Sequence, residues 1–261
     1  MLVNKGYTVY AYYNPPYVQT MEEHVELALQ VFSEEAPLVR LGRSITSAFH
    51  KLLGLGLLLH DFGKALFEPS RGKELSFTGH EIVSGWMTYR LLESFEVGGK
   101  IQRKLGMSTG PLENGALVLA VLLHHHPMDF TSRLENFRRL KPKLTRDRVK
   151  AFAQSVAGPA TKHLGLSAEL EELFLEALGA EEIEIAKIYS TTKEVYENQW
   201  RKVWLFVKSP AIRRLFLLLL QGIVAADYRA SRTRKSSTPQ SRFARAVEIF
   251  LGHYSHSERA S

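Results

Sequence analysis

Apolar residues recur every three or four positions along most of the chain, which is the period of amphipathic α-helices. The stretch Tyr7–Tyr13 is the exception and is a possible short strand. The expected fold class is therefore all-α, a helical bundle with a short N-terminal strand or hairpin. The predicted helices cover residues 20–33, 44–60, 78–94, 114–126, 144–156, 167–178, 182–206, 209–231 and 239–252.

Two of the predicted helices begin with a capping-box sequence. Thr20 is followed three residues later by Glu23, and Thr78 by Glu81, so in each case the hydroxyl and the glutamate would satisfy free backbone amides. These starts place one histidine in the first turn of each helix, namely His24 and His80.

Histidines also mark the ends of two other predicted helices. His60 and Asp61 close an apolar run, and Gly63 is placed to stop that helix. The histidine tract 124–126 is followed by Pro127, whose ring cannot continue a helix.

Glycine-, proline- and serine-rich stretches predict loops at 14–16, 69–73, 98–111 and 234–237. None of them is long enough to act as a linker between domains. We therefore expect a single domain over residues 1–261.

Composition limits the possible chemistry. The 261 residues are 45% hydrophobic, enough for a sizeable core. The absence of cysteine excludes disulfides and thiolate ligands, so a metal site must use His, Asp and Glu, which favours hydrolytic over redox chemistry. The N-terminus lacks the apolar region of a signal peptide, and the run 215–226 is too short to span a bilayer. A cytoplasmic, soluble protein is expected.

Basic residues are concentrated in two segments. Eight lie within 133–150 and eleven within 201–245, whereas 169–197 is acidic and the net charge is +7. A basic surface of this kind suits a polyanion, because neutralised phosphates release counterions. A solvated basic face without a partner is the alternative interpretation.

Five segments carry candidate metal ligands at a helix end or on an apolar helix face: His24; His60 and Asp61; His80; the tract 124–126; and Asp227. Imidazole and carboxylate suit divalent transition metals, and a carboxylate can bridge two ions. Asp227 lies on the apolar stripe of its helix, where a buried carboxylate needs a metal, an arginine or hydrogen bonds. Each histidine taken alone also fits a packed or solvated helix end.

Lys64 lies one turn beyond His60 and is either a phosphate-binding cation or a solvated lysine. The histidines without a motif around them are expected at the surface: His50, His163, His253 and His256.

The order of these segments resembles the HD-domain superfamily of metal-dependent phosphohydrolases. More narrowly, it resembles the HD nuclease of type I CRISPR interference in the form encoded separately from its helicase. The resemblance is carried by His60-Asp61-Phe62-Gly63-Lys64-Ala65, by His80-Glu81 with Ser84, by the histidine tract, and by Ala226-Asp227-Tyr228-Arg229-Ala230-Ser231. No Walker A sequence occurs, so the chain would be the nuclease alone.

The chain departs from the family pattern at two places. The family usually has two histidines and then a small residue, whereas this chain has three before Pro127. We favour His124 and His125 as ligands, with His126 as the alternate. Tyr228 and Ala230 replace the usual Trp and Gly.

The resemblance implies an HD-domain helical bundle with a two-metal site. His24, His60, Asp61 and Asp227 would hold one divalent ion; His80, His124 and His125 would hold a second; Asp61 would bridge them. Lys64 would contact the phosphate. The expected cofactor is one or two divalent ions, with Mn, Ni, Co, Fe and Mg as the candidates. Histidine-rich ligation favours the first four over Mg.

The implied activity is hydrolysis of single-stranded DNA, as an endonuclease or a 3'-5' exonuclease, by two-metal activation of water. A separate helicase subunit and a guide-RNA surveillance complex would be the partners. Two other functions remain open. One is an HD phosphohydrolase acting on nucleotides or cyclic dinucleotides, which would share every ligand. The other is a non-catalytic nucleic-acid-binding scaffold, which would be free to lose ligands, whereas this chain has a candidate at every position.

Overall fold

A computed structural model describes residues 7–69, 73–125, 129–166, 169–206, 209–231 and 241–255. These residues form twelve α-helices and two small antiparallel sheets, which confirms the all-α prediction and the N-terminal hairpin. A 3₁₀ segment, Phe62–Leu66, follows α3, and a π-helical segment, Arg201–Phe206, follows α10. The elements are β1 Tyr10–Asn14, β2 Tyr17–Thr20, α1 Met21–Leu29, α2 Pro37–Arg43, α3 Phe49–Leu59, α4 His80–Glu93, α5 Phe95–Leu105, α6 Pro111–Leu122, α7 Phe130–Phe137, β3 Lys143–Thr145, α8 Arg146–Leu164, α9 Leu170–Leu178, β4 Glu182–Glu184, α10 Ile185–Trp200, α11 Pro210–Ser231 and α12 Arg242–Tyr254.

The N-terminal hairpin leads directly into α1. Thr20 ends β2 and caps α1, because its hydroxyl accepts from the Glu23 amide at 3.2 Å while the Glu23 carboxylate accepts from the Thr20 amide at 3.0 Å. The first predicted capping box is thus confirmed, and it fixes His24 in the first turn of α1.

Helices α3 and α6 are buried along most of their length. Every residue of α3 from Leu52 to Leu59 and of α6 from Asn114 to Leu122 is buried, and all of them except Asn114 are apolar, so these parts of the two helices have no polar face to present to water. α6 packs against α4 and α11, and α3 packs against α11, α1, α6 and α8. The polar residues that directly follow these helices, His60 and Asp61 after α3 and His124 after α6, therefore lie in the interior.

The predicted loop at 98–111 is wrong, because α5 occupies its first half. The Ser94 hydroxyl accepts from the Val97 amide and starts this helix, and Gly106, at φ 59°, ends it. Its apolar residues are spaced for one buried face: Val97, Ile101 and Leu105. That face outweighs the low helix propensity of the paired glycines.

The predicted continuous helix at 182–206 is divided. Its first three residues form β4, which pairs with β3, and its last six form the π-helical segment. Ile183 is buried between the exposed Glu182 and Glu184, which is the alternation of a strand. A three-residue alternation is too short to stand out beside a long helical pattern.

The buried apolar side chains form one core cluster that draws on residues from Val9 to Leu251. The single-domain assignment over 1–261 stays a prediction. Among the helices of the described residues, none combines the length and the apolar character required to cross a bilayer.

Candidate metal centre

Seven histidine and aspartate side chains from five segments meet in the interior of the bundle. They come from α1, the C-terminal end of α3, the first residue of α4, the turn after α6, and the last turns of α11. Potential ligand atoms lie within 4.8 Å of one another in two groups: His24, His60, Asp61 and Asp227, and His80, His124 and His125.

The first group is centred on the His24 imidazole. Its Nε2 lies 3.3 Å from Nε2 of His60, 3.3 Å from Oδ2 of Asp61 and 3.3 Å from Oδ1 of Asp227. His24, His60 and Asp61 are fully buried, whereas about a fifth (21%) of the Asp227 side chain is exposed. Two imidazoles and two carboxylates from three helices therefore face one small volume.

Asp61 lies between the two groups. Its Oδ2 faces His24 and His60, while its Oδ1 lies 3.0 Å from Nε2 of His80 in the second group. His80 Nε2 is in turn 3.2 Å from Nε2 of His125, and the His124 ring packs against both imidazoles. The two oxygens of Asp61 are thus divided between the groups, as a bridging carboxylate requires.

Three of the imidazoles are fixed by their own backbone. Nδ1 of His60, His80 and His124 donates to the carbonyl oxygen three residues upstream, at 2.9, 2.7 and 2.7 Å. Because Nδ1 carries the proton, Nε2 of each ring keeps its lone pair and points towards the centre. Hydrogen bonding of the second ring nitrogen is how metal-binding histidines are commonly oriented.

Gly63 brings the two groups together. A β-carbon at this position would lie 2.1 Å from the carbonyl oxygen of His80, so only glycine permits the backbone contact. The Gly63 amide also donates to Oγ of Ser84 at 2.9 Å. The predicted role of Gly63 as a helix stop is wrong: α3 already ends at Leu59, and Gly63 has no positive φ.

The predicted capping box at Thr78 and Glu81 is also wrong. Gly79, at φ 83°, precedes α4, and His80 is the first residue of that helix. The Glu81 carboxylate, instead of capping the helix, pairs with Arg133 of α7. A partner 52 positions away in the chain leaves no signal in local sequence.

Lys64 lies beside Asp61 and is buried. Its Nζ donates to Oδ2 of Asp61 at 2.6 Å and to the carbonyl oxygen of Ala11 in β1 at 3.1 Å. The 3₁₀ geometry of Phe62–Leu66 turns the lysine towards this carboxylate. A solvated lysine, one of the two interpretations of the sequence, is therefore wrong.

Burial favours the neutral form of three histidines of the centre, namely His24, His124 and His125. It lowers the pKa of His24, and together with the neighbouring His60 and His80 it lowers the pKa of His124 to about 4. Burial and the adjacent His124 likewise lower the pKa of His125. Neutral imidazoles are the form that binds metal. Burial acts in the same direction on His60, but the carboxylates of Asp61 and Asp227 outweigh it and raise its pKa.

Both carboxylates of the centre are ionised. Burial alone would raise the pKa of Asp61, but Lys64, His60 and His80 hold that pKa well below its usual range. Burial opposes ionisation of Asp227 in the same way, and the neighbouring imidazoles of His24 and His60 hold its pKa well below its usual range. The centre consequently combines negative oxygen ligands with neutral nitrogen ligands.

Several buried atoms of the centre lack a hydrogen-bonding partner within the described residues: His24 Nδ1, Asp61 Oδ1 and His124 Nε2. Polar atoms without partners are costly in an interior, and a cation between them would satisfy the last two. The donor set therefore fits divalent metal ions.

The histidine tract follows α6 and does not end it. α6 ends at Leu122, four residues earlier than predicted, and His124 and His125 lie on the turn that follows it. His126 and Pro127 lie outside the described residues, so the alternate role of His126 and the helix stop at Pro127 stay predictions.

Ser231 lies beside the centre, and the remaining described histidines lie outside the two ligand groups. The Ser231 hydroxyl donates to Oδ1 of Asp227 at 3.3 Å. His253 is exposed as predicted, whereas His50 and His163 are partly buried beside glutamates. His256 lies outside the described residues.

Half of the basic side chains in the first basic segment, residues 133–150, form ion pairs with glutamates of the same chain. Four of the eight basic residues in 133–150 are paired: Arg133 with Glu81, Lys143 with Glu182, Arg146 with Glu181, and Arg148 with Glu68. Arg138, Arg139 and Lys141 are exposed. The surface that could attract a polyanion is smaller than the sequence indicates.

No family model, no curated protein and no solved structure matches this chain.

Proposed function

We propose that this chain is a divalent-metal-dependent phosphodiesterase that cleaves single-stranded DNA, as its resemblance to HD nucleases of type I CRISPR interference implies. One observation carries the proposal: the two oxygens of a buried, ionised Asp61 are divided between two groups of potential metal ligands. The exposed arginines and lysines of the basic segments support a polyanionic substrate.

In this proposal, seven side chains of the chain bind the metal ions and Lys64 acts beside them. His24, His60, Asp61 and Asp227 would hold one ion, and His80, His124 and His125 a second. Two bound ions supply Lewis acidity and make water nucleophilic at neutral pH. Lys64 keeps Asp61 ionised and oriented, and contributes a positive charge beside the centre where a phosphate would be bound. A separate helicase and a guide-RNA complex would deliver the strand.

Cleavage of circular single-stranded DNA in Mn²⁺ tests the proposal. The parent protein is expected to cut the circle, and Asp61→Ala is expected to cut at least about 100-fold more slowly because each ligand group loses one oxygen of the Asp61 carboxylate. His253→Ala, which removes an exposed histidine of α12, is the matched control and should match the parent.

The alternatives predict different results in the same assay. Turnover of free nucleotides or cyclic dinucleotides with the circle left intact would support the nucleotide phosphohydrolase instead. Binding of DNA without metal and without cleavage would support the scaffold. Cleavage that survives both chelator and Asp61→Ala would contradict metal-dependent hydrolysis.

A further inference from the structure

Glu81 and Arg133 form a buried ion pair directly behind the second ligand group. Nε and Nη2 of Arg133 donate to the two carboxylate oxygens of Glu81 at 2.5 and 2.6 Å, which is a bidentate arrangement. The Glu81 side chain is 1% exposed and that of Arg133 18%. A paired geometry of this kind fixes both side chains in position as well as in charge.

The pair joins the two chain segments that supply the second group. Glu81 follows His80 in the first turn of α4, and its Oε2 lies 3.7 Å from Nδ1 of His80. Arg133 belongs to α7, which begins five residues after His125. The ion pair therefore links the helix start that carries His80 to the helix that follows His124 and His125.

Arg133 also keeps Glu81 occupied. Both carboxylate oxygens of Glu81 accept hydrogen bonds from the guanidinium. Without the guanidinium, a buried carboxylate would remain beside an imidazole whose Nδ1 must donate to the Phe77 carbonyl. That carboxylate would compete for the Nδ1 proton and turn the ring.

We infer that Glu81 and Arg133 are positioning residues for the second metal group, and that their bidentate pair sets the separation between His80 and the His124–His125 turn. This inference rests on the proposed function, since it assumes that the group binds metal. The ligands of the first group come from α1, the end of α3 and α11, none of which carries either member of the pair. The pair therefore governs the second ion more strongly than the first.

Calorimetric titration with Mn²⁺ tests the inference without relying on activity. The parent protein is expected to bind two ions, and His125→Ala identifies the binding step that belongs to the second group. Arg133→Gln should weaken that step by at least about tenfold while changing the other step less than about twofold, as expected for a residue that orients metal ligands.

Two further variants separate positioning from general destabilisation. Arg133→Lys keeps a positive charge opposite the buried Glu81 carboxylate, so the variant should fold. It loses only the bidentate geometry, and it should therefore weaken the second binding step to an intermediate degree. Glu176→Gln breaks the Lys100–Glu176 pair between α9 and α5, away from the ligands, and should leave both steps unchanged. The visible spectrum of bound Co²⁺ should change for the Arg133 variants and not for Glu176→Gln.

The inference would be overturned if the Arg133→Gln and Arg133→Lys variants weakened the two Mn²⁺ binding steps equally. It would also be overturned if neither variant weakened the second step. A parent protein that binds two ions while the Arg133 variants behave like Glu176→Gln would overturn it and leave the proposed function intact. A parent protein that binds no Mn²⁺ would contradict the proposed function itself.

Discussion

Gly63 is the residue through which the two ligand groups approach each other. Its sequence context, two residues after His60-Asp61, suggested the usual task of a glycine at a helix end. The structure instead places it against the backbone of His80, 17 positions away, in a contact that leaves no room for a β-carbon. Local sequence identifies glycines that need unusual backbone angles more readily than glycines needed for distant contacts.

Gly63→Ala is expected to destabilise the protein by at least about 2 kcal/mol, because the added β-carbon meets a backbone oxygen that cannot move without displacing α4. Urea denaturation of the metal-free protein measures the change. Gly252→Ala in α12 is the matched control: nothing lies within 4 Å of its β-carbon, so it should be neutral or stabilise by up to about 1 kcal/mol. Similar losses for the two variants would show that the contact at His80 carries no special cost.

Among the helices, α1 illustrates how an element is held so that its ligand is correctly placed. His24 lies in its first turn, fixed by the Thr20 capping box, while Glu26 on the same helix contacts α8. The Glu26 carboxylate accepts hydrogen bonds from Lys162 and from His163, the latter at 3.0 Å. The capping box was predictable because its partners are three residues apart. The contact with α8 was not, because its partners lie more than 130 positions further along the chain.

Glu26→Gln is expected to lower stability at neutral pH and to lose this effect in acid. The hydrogen bond from Lys162, with further ones from His163 and Gln30, lowers the pKa of Glu26 from 4.5 to about 2. Because the folded-state pKa is depressed, the stabilisation is fully present above about pH 4.5 and is lost as the pH falls towards about 2. Urea denaturation of parent and variant at pH 7, 5, 4 and 3 measures the difference.

The control for this prediction is Glu22→Gln, which removes the same charge from an exposed position of α1. It should cost less at neutral pH, since solvent screens an exposed charge. A parent-to-variant difference for Glu26→Gln that stays constant from pH 7 to pH 3 would contradict the role of the ionised carboxylate.

At the scale of the whole molecule, the sequence predicted the fold class and singled out the histidines and aspartates that the structure groups together. It did not predict the contacts that hold these side chains in place. Helical periodicity predicted most of the helices, and a histidine or aspartate at a helix end is visible one segment at a time. Lys64 with Asp61, Gly63 with His80, and Glu81 with Arg133 are contacts created by packing. Such contacts depend on the relative positions of helices, which a single sequence does not encode locally.

The candidate centre joins positions from His24 to Asp227, so bound metal would cross-link most of the bundle. A ligand that binds only the folded state stabilises it by RT ln(1 + [L]/Kd), which is about 2.7 kcal/mol at a free concentration of 100 Kd. For a chain of this size we expect Mn²⁺ to raise Tm by roughly 5–10 °C relative to chelator. Asp61→Asn should lose most of this shift, because both groups share its carboxylate, whereas His253→Ala should keep it. Differential scanning calorimetry with and without Mn²⁺ measures each shift within one variant, so the stability of the metal-free variant does not enter. An equal shift in Asp61→Asn would mean that Mn²⁺ stabilises the bundle from elsewhere on its surface.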